Sequence, residues 1–147
     1  MFGETIGRPM EVLLIEDDLE DAGMTIEALS RGDVVCRVSL VRDGEEALEF
    51  VRQQGRFARA PRPDLILLDM NLPKLSGREV MAEIKNDGVL DRVPIVVLTA
   101  SRIHRELLES SRLHVEDYLT KPVDAAQFIA VVKSLRKYML TDVILPQ

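Results

Sequence analysis

The chain has 147 residues, 46% apolar and 30% charged, with 25 acidic against 19 basic side chains for a net charge of -6. That length suits one domain with its own core, the apolar content excludes disorder, and the acidic balance argues against non-specific binding to nucleic acid or an anionic membrane surface. The single cysteine, Cys36, excludes an internal disulfide and reads as a small buried hydrophobe; with no secretory pattern at the start and no membrane-length apolar run, a cytoplasmic protein is expected.

The first short apolar run, 12–15, predicts a strand, and behind it Leu19, Ala22, Ile26 and Leu29 recur at helical spacing up to a stop at Gly32. Over 34–41, Val34, Cys36, Val38 and Leu40 alternate with Arg37 and Ser39, which predicts a less deeply buried strand at a sheet edge. Asp43-Gly44 opens a second helix carrying Ala47, Leu48 and Val51, expected to end near Gly55, and 55–63 reads as loop. The runs 65–68 and 95–98 are apolar without alternation, as central parallel strands covered on both faces should be. Between them a third helix carries Val80, Met81 and Ile84 and ends near Asn86-Asp87-Gly88. A weak fourth helix is expected over about 103–111, a last strand at Tyr118-Leu119, and a fifth helix with Phe128, Val132, Leu135 and Met139.

Strands alternating with helices in this way imply an open, doubly wound α/β sheet of five parallel strands, and right-handed crossovers make 2-1-3-4-5 the leading order. Ligands of such sheets bind beyond the carboxyl ends of the strands. There the chain has Glu16-Asp17-Asp18 after strand 1, Asp69 after strand 3, Thr99-Ala100 after strand 4 and Thr120-Lys121-Pro122 after strand 5. Strands 1 and 3 are neighbours at the switch point, so Asp17 and Asp69 should lie side by side with Glu16 close by. Their mutual repulsion calls for a hard divalent cation, and Mg²⁺ suits a site that also receives phosphate, with Asp17 and Asp69 as direct ligands. Lys121 adds a movable positive charge and Thr99 a hydroxyl for one phosphoryl oxygen. Taken singly, each residue has a plainer reading: a helix cap for the acidic pair or Thr99, a solvated charge for Lys121. Their joint position at the strand ends favours a phosphoryl-transfer site.

In order along the chain, Leu14-Ile15-Glu16-Asp17-Asp18, Leu68-Asp69-Met70-Asn71-Leu72-Pro73-Lys74-Leu75-Ser76-Gly77, Val97-Leu98-Thr99-Ala100 and Tyr118-Leu119-Thr120-Lys121-Pro122 resemble the motifs of bacterial response-regulator receiver domains. The resemblance implies a flavodoxin-like receiver over 11–140, flanked by an N-terminal extension over 1–10 and a tail over 141–147. It implies Asp69 as phosphoacceptor, Glu16 and Asp17 as the acidic pocket, the Asn71 backbone carbonyl as a further metal ligand, and a cis peptide before Pro122. It also implies a switch in which Thr99 moves toward the phosphoryl group and Tyr118 turns inward; a half-buried strand aromatic is the plainer reading of Tyr118. Glu16 departs from the aspartate of many receivers, and its longer side chain implies contact with the metal through water. The segment Ser110-Ser111-Arg112-Leu113-His114-Val115-Glu116-Asp117 departs from the usual Gly-Ala turn.

That departure, with Gln53-Gln54-Gly55-Arg56 before Pro61-Arg62-Pro63-Asp64 and Gly77-Arg78-Glu79-Val80, looks like the response regulators paired with bacterial phytochromes. The implied phosphodonor is a histidine of a light-regulated sensor kinase; the plainer reading of 55–63 is a solvated loop. His104 and His114 lack metal-type partners and read as surface residues. No output domain is expected after the last helix. Val143-Ile144-Leu145 either folds back on the domain or packs on a second subunit in a homodimer, as similar phytochrome regulators do. Autophosphatase activity is expected, but not an enzyme in its own right. The alternatives are a small-molecule phosphatase or phosphotransferase, for which the longest loop is too short to form a cap, and a binding module that works unphosphorylated.

Overall fold

In the computed structural model of this chain, residues 7–100 and 117–135 are described. The apolar runs become β1 (Met10–Ile15), β2 (Cys36–Val41), β3 (Leu65–Asp69), β4 (Ile95–Thr99) and β5 (Asp117–Thr120). They form one sheet in the order β2-β1-β3-β4-β5, every pairing parallel. The helices are α1 (Leu19–Arg31), α2 (Gly44–Val51), α3 (Gly77–Lys85) and α4 (Ala125–Ser134), the last being the fifth helix expected from the sequence. The expected helix over 103–111, His104, His114 and the tail over 141–147 lie outside the described residues.

Successive residues of a strand point to opposite faces, so an uninterrupted apolar run fills two cores at once. Val12, Leu14, Leu65, Leu67, Val96 and Leu98 face one core, which Leu29, Phe128 and Val132 close from α1 and α4. Leu13, Ile15, Ile66, Leu68 and Val97 face the other, closed by Leu48 and Val51 of α2 and Val80 and Ile84 of α3. β2 lies at the edge, and its alternating residues are mostly half-buried. Cys36, expected as a small buried hydrophobe, opens that edge strand half-buried against the α1–α4 core, with a free thiol that burial pushes up in pKa.

Each helix start is set by a short polar side chain that accepts hydrogen bonds from N–H groups of the first turn. Asp18 caps α1, Asp43 caps α2, Asp124 caps α4, and Ser76 with Glu79 forms a capping box on α3. The end of α2 differs from the sequence expectation. The helix stops at Val51 rather than near Gly55, because Gln53 turns left-handed with φ 54° and Gly55 follows with φ 55°. The amide of Gln53 then holds the Ala60 carbonyl at 2.7 Å, and residues Gly55–Phe57 make a 3₁₀ turn within the expected loop. At the far end of that loop Asp64 accepts two hydrogen bonds from Arg8 and one from the Glu11 amide, fixing the entry to β3.

Candidate functional site

Register alone assembles the site. Ile15 pairs with Leu68 across β1 and β3, Asp69 with Leu98 across β3 and β4, and Thr99 with Thr120 across β4 and β5. Glu16, Asp69, Thr99 and Lys121 therefore leave the sheet at one edge, the positively polarised start of α1 being close by. The acidic triplet divides its labour: Asp18 is the plain helix cap, accepting from Glu20 and Asp21 at 2.9 and 3.0 Å, while Glu16 and Asp17 turn to Asp69. One carboxylate oxygen from each of Glu16, Asp17 and Asp69 lies within 4.8 Å of the others.

Lys121 ties this cluster together. Its Nζ donates to Glu16 Oε1 at 2.5 Å, Asp21 Oδ2 at 3.0 Å and Asp69 Oδ2 at 3.2 Å. The other Asp69 oxygen, Oδ1, accepts from the Asn71 amide at 3.0 Å. Glu16 is fully buried and Asp69 nearly so, whereas Asp17 is half-buried. Burial pushes the Glu16 carboxyl up to about 7, helped by its hydrogen bond to Asp69 and the Asp69 charge and opposed by Lys121. For Lys121, burial acts downward, but hydrogen bonds to Glu16 and Asp21 and the charges of Asp69 and Glu16 outweigh it, so its ammonium is held above the usual lysine range.

The loop after β3 is shaped by close backbone approach. A Cβ on Gly77 would come within 2.6 Å of Met70 Cα, and the Gly77 amide donates to the Met70 carbonyl at 3.2 Å. Farther along, Lys74 adopts φ 68° and its ammonium reaches the Asp43 carboxylate at 3.3 Å. These contacts hold Asn71 against Asp69. On the other side, the Lys121 amide donates to the Thr99 carbonyl at 2.7 Å and the Lys121–Pro122 peptide is cis. Thr99 Oγ1 is buried with no hydrogen-bond partner among the described residues, an uncommon state for a buried hydroxyl. Tyr118 is half-buried against the α2–α3 core.

Two participants escaped the sequence reading. Asp21, a Lys121 partner, stands in the first turn of α1, the helix that Asp18 caps, and an acidic residue there reads locally as no more than a favourable charge at a helix start. Arg42 donates to the Asp17 carbonyl at 3.1 Å from the β2–α2 turn, a contact across strands with no signal in local sequence. Asp17, Asp21, Asp69, Asn71 and Lys121 line an open cavity of about 370 Å³. Three converging carboxylates, one buried, form an all-oxygen donor set that suits a hard divalent cation.

A parallel 2-1-3-4-5 sheet with an acidic pocket, a lysine and a buried threonine hydroxyl at its carboxyl edge defines a phosphoryl-accepting signalling domain. Residues 12–133 match the response regulator receiver domain family, and the chain belongs to that family. It is 41% identical to response regulator Rcp1 of a Synechocystis species over 94% of both chains. Among solved structures it resembles the phosphorylated cyanobacterial phytochrome response regulator RcpA, 44% identical with a TM-score of 0.72 over 95% of this chain and 100% of that one. It also resembles the bacteriophytochrome response regulator RtBRR, 34% identical with a TM-score of 0.82 over 95% and 84%. The Mn²⁺-bound form of Rcp1, 41% identical with a TM-score of 0.70 over 95% of this chain and 100% of that one, carries a divalent metal. The protein is thus a receiver of phosphorylation-based signalling; receiver domains of this kind partner with histidine kinases and bind divalent metal, and the acidic cluster here fits such an ion. Among the described residues no helix is long and apolar enough to cross a membrane.

Proposed function

We propose that Asp69 accepts a phosphoryl group from a histidine of a phytochrome-type sensor kinase in a Mg²⁺-dependent reaction. The observation that carries this reading is the position of Lys121: one ammonium contacts Glu16, Asp21 and Asp69 together, at a carboxylate that lines an open cavity. Asp69 supplies the oxygen that bonds to phosphorus as the N–P bond of the donor phosphohistidine breaks; the freed electron pair returns to the imidazole, which takes up a proton. The Asn71 amide orients the carboxylate through Oδ1. Lys121 follows the negative charge from carboxylate to phosphoryl oxygens, and the Thr99 hydroxyl, without a hydrogen-bond partner among the described residues, turns to one of them. Tyr118, half-buried beside Val97, then moves inward and alters the surface around β5.

Asp17, Asp69 and the Asn71 main-chain carbonyl would hold Mg²⁺ directly and Glu16 through water. When bound, the ion neutralises phosphoryl charge that the carboxylates would otherwise repel. Water attack on the acyl phosphate regenerates Asp69, so slow autophosphatase activity belongs to the same site. The phytochrome partner is supported by the similarity to RcpA and RtBRR. The remaining assignments are a receiver over 11–140 between an extension at 1–10 and a tail at 141–147, a cytoplasmic location in keeping with the lone cysteine, no nucleic-acid or membrane partner, and a homodimer joined through Val143-Ile144-Leu145.

Labelling by acetyl phosphate or by a phosphorylated phytochrome kinase tests the core of this reading. Incorporation should need Mg²⁺ and vanish in Asp69→Asn; undiminished label in that variant would overturn it. For the dimer, a chain truncated after Leu140 should sediment as a monomer, and persistent dimers would remove the tail from the interface.

A further inference from the structure

Lys121 has three N–H donors and three carboxylate partners, so no donor remains for an incoming group without a partner being given up. The three partners are not alike. Glu16 is fully buried and Asp69 nearly so, and both belong to the converging acidic cluster. Asp21 stands outside that cluster, projects from the first turn of α1 at the rim of the cavity, and leaves 40% of its side chain exposed. Nothing in the chemistry assigned to Asp69 uses it.

We propose that Asp21 is a positioning residue that tethers one donor of Lys121 away from the phosphoryl group and thereby shortens the life of phosphorylated Asp69. This rests on the phosphoacceptor reading given above. In the hydrolysis that ends the signal, the water oxygen bonds to phosphorus as the bond from phosphorus to the Asp69 oxygen breaks. Its electron pair returns to the carboxylate, and a water proton leaves with inorganic phosphate or to solvent. While the acyl phosphate stands, its oxygens compete with Asp21 for the ammonium, and a half-exposed carboxylate at 3.0 Å competes well. Without that competitor the third donor turns to the phosphoryl oxygens and the acyl phosphate is held in place.

The test uses the full chain as wild type, Asp21→Asn and Asp21→Glu. Each is labelled with acetyl phosphate and Mg²⁺, freed of donor, and followed for loss of label from pH 6 to 9. Asp21→Asn should lengthen the half-life roughly fivefold, the scale of replacing a charge-assisted hydrogen bond by a neutral one, and Asp21→Glu should restore the wild-type value. In parallel, solvent exchange of the Lys121 Nζ protons, read by ¹⁵N NMR on unphosphorylated protein, should speed up in Asp21→Asn and return to normal in Asp21→Glu. Unchanged exchange overturns the tether. Faster exchange with a half-life within twofold of wild type overturns the effect on lifetime, as does a Glu variant that behaves like Asn. If the wild type takes no label at Asp69, the phosphoacceptor reading and the lifetime effect both fall, and the exchange measurement alone still decides whether Asp21 holds Lys121.

Discussion

If Glu16 helps to hold the divalent ion, as proposed above, its buried carboxyl should make ion binding sensitive to pH close to neutrality. Burial raises its pKa from an ordinary glutamate value to about 7, with Asp69 adding to the rise and Lys121 opposing it. A divalent ion needs Glu16 charged, so a proton on Glu16 competes with the ion. With the midpoint at about 7, Glu16 is roughly nine-tenths protonated at pH 6 and one-tenth at pH 8, so the apparent Mg²⁺ affinity should be about tenfold weaker at pH 6. Because the folded pKa lies above the unfolded one, the metal-free protein is most favoured by this group below the unfolded value. That contribution is lost as pH rises through about 7, on the order of 3 kcal/mol for a shift of this size. Calorimetric titration with Mg²⁺ at pH 6, 7 and 8, in two buffers of different ionisation enthalpy, reads both the affinity and the protons released. The expected result is close to half a proton per ion at pH 7. An affinity constant within twofold from pH 6 to 8, or the same pH dependence in Glu16→Gln, would refute the reasoning.

Three further outcomes follow from packing. Thr99→Val replaces a buried hydroxyl that has no hydrogen-bond partner among the described residues by a methyl group, so urea unfolding should show unchanged or higher stability, by up to about 1 kcal/mol, while the phosphorylation-dependent surface change is lost. Gly44→Ala drives a Cβ to 2.5 Å from both Leu75 Cβ and the Leu75 carbonyl oxygen, which should cost about 2 kcal/mol in the same assay and weaken Mg²⁺ binding by shifting the loop that follows Asp69. Asp64→Ala removes a nearly buried acceptor from Arg8 and from the Glu11 amide, and should lower the urea midpoint by the equivalent of about 2 kcal/mol without changing labelling of Asp69.

The strands, their order and the edge position of β2 were legible in the sequence, because an apolar run buried on two faces and an alternating run buried on one leave different patterns. Asp43-Gly44 likewise marked the start of α2, where Asp43 is the N-cap. The converging strand ends also put Glu16, Asp17, Asp69, Thr99 and Lys121 in one group from the sequence alone. The early end of α2 was not legible: Gln53 is not a residue type that announces a left-handed turn, and its amide contact with Ala60 spans the loop. Nor was the half-burial of Cys36, which depends on its being the first residue of an edge strand.

What the sequence determined by itself is therefore what arises from periodicity and from motifs at strand ends: the doubly wound sheet and the edge at which the chemistry gathers. Tertiary structure alone decided how the charges are shared there. It set Asp18 aside as a cap, brought Asp21 and Arg42 to the site, buried the Thr99 hydroxyl and buried Glu16 so deeply that its proton is held to about pH 7. The reason is physical: solvation and the direction of a hydrogen bond depend on every element packed around a side chain, and no local stretch of sequence records that sum.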